Sequence, residues 1–69
     1  MNEPSITANG VLTPASLPCS IAEFLRARGL QPRSVVVEHN GEAVAPSEFA
    51  TRPLTDGDRL EIVGIVAGG

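Results

Sequence analysis

Val35-Val36-Val37-Glu38-His39-Asn40-Gly41-Glu42-Ala43-Val44 reads as two strands joined by a tight turn. β-Branched residues suit a pleated, half-buried surface. Asn-Gly is the dipeptide that a type I′ turn demands, because both central residues take positive φ. The first strand is expected over Ser34 to Asn40, with Val35 and Val37 on one face and Val36, Glu38 and Asn40 on the other. The return strand is expected over Glu42 to Ala45, ending at Pro46, which cannot donate to a ladder. His39 lies just before the turn with no partner evident in the sequence. A lone histidine needs an orienting group to act as a base, so it is expected at the surface.

Upstream of this hairpin is one helix, expected from Ile21 to Arg28. Ser20 and Glu23 form a capping box, and Cys19 and Phe24 occupy the positions of a hydrophobic staple. Ile21, Phe24 and Leu25 make an apolar stripe at helical spacing. Gly29 suits the C′ position, Leu30 its apolar contact, and Pro32 stops the helix. Cys19, at the staple, is expected to be a structural thiol rather than a persulfide acceptor. Before the helix, Ser5 to Asn9 is a short strand with Ile6 and Ala8 on one face. Asn9-Gly10 is a second I′ turn, Val11 to Thr13 the return strand, and Ala15 to Pro18 a loop.

Downstream, Pro46 to Ala50 reads as one helical turn, with Ser47 as its cap and Phe49 in the core; Leu54 is a second core residue. Thr55 to Asp58 is a polar turn. Its acids, Asp56 and Asp58, are expected in solvent, since calcium needs six or more oxygens. The last strand is expected from Arg59 to Val66. Leu60, Ile62, Gly64 and Val66 share one face; Arg59, Glu61, Val63 and Ile65 share the other. Leu60 and Ile62 must face the helix because Arg59 and Glu61 cannot. Either Val63 and Ile65 form an exposed apolar patch, or Gly64 marks a bulge that turns Ile65 inward.

The order is strand, strand, helix, strand, strand, helical turn, strand. A single sheet with a helix across one face is the α+β solution. The expected division is a short lead (1–5), one domain (6–66) and a C-terminal tail (67–69).

Sixty-nine residues leave little interior for a catalytic pocket. One cysteine forbids an internal disulfide, and one cysteine with one histidine cannot make a zinc site alone. Eight acids against five bases make nucleic acid an improbable partner. No apolar run reaches a membrane span, and Met1-Asn2-Glu3-Pro4 has no signal-peptide pattern. The chain reads as cytoplasmic.

The ending, Ala67-Gly68-Gly69, can extend about 10 Å from the last strand. Glycines add no bulk and accept unusual backbone angles, so this tail can thread a narrow channel of a partner enzyme. Its reactive group is the Gly69 carboxylate, an anion at neutral pH and a poor electrophile. Activation needs ATP used by another protein, because this chain has no nucleotide-binding loop and no acid–base cluster.

Asn9-Gly10, Ser20 to Leu25, Val35 to Glu42 with Val44 and Pro46, Asp56 to Val63, and Val66-Ala67-Gly68-Gly69 together resemble the ThiS family of small sulfur carriers in thiamine biosynthesis. The resemblance runs from Ile6 to Gly69. It departs in a few extra N-terminal residues and in Phe49, where the family often has Trp. It implies a ubiquitin-like β-grasp, a mixed sheet of about five strands (ββαββ, a short helical turn and β) packed on one helix. It also implies a protein co-substrate rather than an enzyme, with no bound cofactor. A ubiquitin-activating-type adenylyltransferase would couple Gly69 to AMP using ATP. Sulfur from a cysteine desulfurase or another donor would then give a thiocarboxylate, which thiazole synthase accepts. Gly69 is the attachment point, Gly68 and Ala67 give access, and Val63 and Ile65 are the candidate docking residues. Alternatives are the small subunit of molybdopterin synthase, a carrier or protein modifier of another pathway, and a β-grasp interaction module with inert glycines.

Overall fold

The last strand in the sequence, β7 (Arg59–Gly64), lies at the centre of the sheet in a computed structural model that describes residues 3–65. Five strands run in the order β2-β1-β7-β4-β5, with β1 at Ser5–Ala8, β2 at Val11–Pro14, β4 at Val35–His39 and β5 at Glu42–Val44. β7 is parallel to β1 and antiparallel to β4. The two hairpins thus become the two halves of one mixed sheet. A two-residue ladder joins β3 (Cys19–Ser20) to β6 (Pro53–Leu54), a pairing that the local pattern does not announce.

Both Asn-Gly pairs make the expected turns. Asn9 and Asn40 sit at φ 51° and 52°, and the glycines after them are also at positive φ. Helix α1 runs from Ile21 to Ala27 with Arg28 as its C-cap, one residue shorter than expected. Its capping box is complete: the Glu23 N–H donates to Ser20 Oγ (3.0 Å), and the Ser20 N–H donates to Glu23 Oε1 (2.8 Å). The N–H groups of Ile21 and Ala22 donate to the carbonyls of Arg52 (3.1 Å) and Phe49 (2.8 Å). The orphan donors of the first turn are therefore met by the segment before β6, which ties the helix start to that segment. At the other end Leu30 N–H reaches the Leu25 carbonyl and Gly29 N–H that of Arg26, with Gly29 at φ +75°. This is a full Schellman closure.

Ile21, Phe24 and Leu25 of the helix pack on Ile6, Val35, Val37 and Leu60 of the sheet, with Val44, Phe49 and Leu54 completing the core. Each such side chain contributes about 1.5–3 kcal/mol when fully buried. The turn at Pro46–Glu48 is 3₁₀, and its cap is Ala45, with no side-chain bond from Ser47. Proline at N1 supplies the φ a helix start needs, which leaves the Ser47 hydroxyl with no capping role.

Candidate docking face and carrier tail

Strand β7 carries the candidate site because the tail follows it. Its ladder with β4 is unbroken from Val35↔Gly64 to His39↔Leu60, and the Ile65 N–H continues it to the Ser34 carbonyl at 2.8 Å. No extra residue interrupts this pairing, so there is no bulge at Gly64. Alternation then places Val63 and Ile65 outward, 62% and 51% exposed. Val36, opposite Val63, is 53% exposed. The three make an apolar strip on the sheet face away from the helix. The expected strand end at Val66, and the carrier residues Ala67, Gly68 and Gly69, lie outside the described residues.

Next to this strip is a rung of two acids. Glu38 stands opposite Glu61, both exposed, and neither makes a salt bridge among the described residues. Arg59 lies two residues further back along β7 on the same face.

Two asparagine side chains hold β7 in place. β1 pairs with β7 only at Thr7↔Arg59 and Ala8↔Leu60. Beyond that point Asn9 substitutes for a strand residue: its Nδ2 donates to the Ile62 carbonyl (3.0 Å), and its Oδ1 accepts from the Ile62 N–H (2.7 Å). Asn40 acts similarly on the other side, its Oδ1 accepting from the Arg59 N–H (2.8 Å) and its Nδ2 donating to Asp58 Oδ1 (3.2 Å). The sequence identifies both residues as turn formers; their second role depends on a strand 53 and 19 residues away.

His39 is buried, 7% exposed, contrary to its expected surface position. It shares the inward parity of Val35 and Val37, the signal that places it inside. Arg52 Nε donates to its Nδ1 (2.9 Å), and its Nε2–H donates to Asp58 Oδ2 (2.8 Å). Arg52 also pairs with Glu42 and Glu48. These bonds fix the imidazole between two charged groups and account for its polar atoms. Asp58 is likewise not a freely solvated acid. Burial pushes its carboxyl up, but donation from the Thr55 N–H, His39 and Asn40 outweighs that and leaves the pKa lowered. Asp56 accepts from the Ser5 N–H at 2.8 Å. Among the described residues no cluster of metal-ligating side chains occurs.

Cys19 is half-buried against the core. Burial, and then the Glu23 charge, raise its thiol pKa. Both favour the thiol over the nucleophilic thiolate, in keeping with a packing role. No described helix is long and apolar enough to cross a membrane.

Residues 6–69 match the model of the ThiS family, a span that includes both the outward strip and the Gly-Gly ending. The chain belongs to the ThiS family. It is 38% identical over 50 residues to the sulfur carrier protein ThiS of Thermus thermophilus, covering 72% of this chain and 78% of that one. A thiazole synthase of Paramagnetospirillum magneticum is 36% identical over 64 residues, 93% of this chain. The chain spans only a fifth of that relative's length. The crystal structure of the thiamine biosynthesis protein ThiS from Geobacter metallireducens superposes with a TM-score of 0.81 at 29% identity, covering 94% of this chain and 99% of that one. The ThiS fold, a ubiquitin-like β-grasp with a mixed five-strand sheet on one helix, is thus shared along nearly the whole chain.

Proposed function

We propose that this ThiS-family chain is a sulfur carrier of thiamine biosynthesis whose working group is the Gly69 carboxylate. The observation that carries this reading is the family match through residue 69, on a domain whose last strand leads directly into the tail. A ubiquitin-activating-type adenylyltransferase binds ATP, and the Gly69 carboxylate attacks its α-phosphorus, releasing pyrophosphate. The acyl-adenylate is then an electrophile. A persulfide sulfur, supplied through a cysteine desulfurase or another donor, attacks the acyl carbon and displaces AMP. A thiol then reduces the resulting S–S bond, becoming oxidised in turn, and leaves the thiocarboxylate.

Gly68 and Ala67 keep the tail narrow enough to enter an active site, and Val63 and Ile65 dock the domain beside it. This chain supplies position and a carboxylate, while its partners supply the catalysis. Thiazole synthase is the proposed sulfur acceptor. A relative with that name includes a segment similar to 93% of this chain, which supports this pairing.

The test is intact-mass spectrometry after incubation with ATP, sulfide and the adenylyltransferase. The expected product is heavier by one oxygen-to-sulfur exchange, located on Gly69. A chain lacking Gly69, or carrying one residue beyond it, should fold normally and remain unloaded. Loading of either variant would remove the C-terminus from the mechanism. Transfer of the sulfur to thiazole synthase, and not to the large subunit of molybdopterin synthase, separates the two pathways.

A further inference from the structure

The outer face of β4 and β7 contains a local conflict. Glu38 and Glu61 are direct cross-strand neighbours, and like charges directly opposite each other destabilise a sheet. No cation among the described residues relieves them by a salt bridge. The next rung toward the tail is Val36↔Val63, followed by Ile65, all more than half exposed. A rung that costs stability beside an apolar strip that packs on nothing is the kind of local inconsistency that marks a functional surface.

The charges select the occupant. A second copy docked face to face would bring four carboxylates together around one apolar contact, so self-association is disfavoured. A partner surface carrying an arginine or lysine beside apolar side chains relieves the repulsion and covers the strip together.

We infer that Glu38 and Glu61 form a cation seat on the docking face, and that the partner inserts a basic side chain there while Val36, Val63 and Ile65 pack against its apolar neighbours. The inference rests on the carrier reading and specifies the chemistry of the partner's surface. Arg59, on the same face, is the one described cation along this row of β7. It sits on the side of the acidic rung away from the strip, so it marks where the acidic seat ends.

The test measures adenylation of the whole chain by the adenylyltransferase, following pyrophosphate release at several salt concentrations. Glu38→Gln with Glu61→Gln should raise KM about tenfold, leave kcat nearly unchanged, and flatten the salt dependence of kcat/KM. The same double variant should melt at or above the wild-type temperature, because the opposed charges are gone. Opposite signs for binding and stability separate a docking role from a structural one. Glu3→Gln, a charge change at an exposed position away from the face, should alter neither parameter. An unchanged KM and salt dependence in the double variant, with wild type efficiently adenylated, would overturn the cation seat alone. Failure of wild type to be adenylated would overturn the carrier reading and the seat with it.

Discussion

The two hairpins begin from the same dipeptide, yet they hold the central strand very differently. Each Asn-Gly turn places its asparagine at nearly the same φ and directs the side-chain amide at β7. On the β4 side the amide joins five paired positions and a cluster of Asp58, His39 and Arg52. On the β1 side no side-chain cluster supports it; it extends by one rung a two-position ladder held by the Thr7 and Asn9 N–H groups. One flank of β7 is therefore clamped, and the other is held by a short ladder that the Asn9 amide extends to Ile62. Identical local sequence gives identical local geometry, but the strength of each clasp is set by residues distant in the chain.

Removing the clamp should have the largest effect. His39→Ala deletes a buried ring and leaves Arg52 Nε and Asp58 without their shared partner, and it should lower unfolding free energy by about 3 kcal/mol. Urea denaturation measures this; a loss no larger than that of a surface substitution would mean that the cluster does not clamp the sheet. Asn40→Asp comes next, at about 2 kcal/mol, since the new carboxylate faces Asp58 and the donor to it is lost. Its defect should shrink at acid pH, where the carboxylates protonate. Asn9→Asp should cost about 1 kcal/mol, because it loses one bond but meets no second acid. Asn9→Ala, which removes the acceptor of the Ile62 N–H, should accelerate hydrogen exchange at that amide, and Asn40→Ala should not. Equal costs for the two asparagines, with equal pH dependence, would erase the contrast between the flanks.

Acidification gives the next contrast. Asp58 has a folded pKa below its unfolded value, so its contribution is fully present above the ordinary aspartate value of about 3.9 and is lost as pH falls through the folded one. Glu42, exposed, is also lowered, by its hydrogen bond with Arg52 and then by that residue's charge. Both acids belong to the clamped flank. Asp58→Asn should flatten the acid limb of the stability–pH curve measured by denaturant titration. The smallest effect belongs to Leu12→Thr on the outer strand of the other hairpin. Leu12 is largely exposed, so its change should stay within about 0.5 kcal/mol.

Local rules are enough to read most of this fold. Asn-Gly, the Ser20–Glu23 capping box, Gly29 and period-2 alternation each specify one element, and their order fixes a helix on a mixed sheet. The choice between a patch and a bulge at Gly64 could not be made locally, because Val63 and Ile65 fit either pattern. It is decided by the continuous register with β4. His39 was half-legible: its parity with Val35 and Val37 points inward, but the groups that make burial tolerable are 13 and 19 residues away. The β3–β6 pair was hidden for a different reason, since two residues carry too little periodicity to signal a strand. The Glu38–Glu61 rung needs the register between β4 and β7, which neither strand alone contains.

The central position of β7 has a consequence for how the protein is made. Its neighbours β1 and β4 have no direct pairing with each other and meet only through this strand. A nascent chain halted before Arg59 holds both hairpins and the helix but not the element that joins them. The domain therefore closes only once Arg59–Gly64 has been made, and contacts between β1 and β7 are among the slowest kind to form. Until Arg59–Gly64 is available, the face built from β4 and β7 does not exist. Chains truncated before that strand lack the face, a selection made by topology alone.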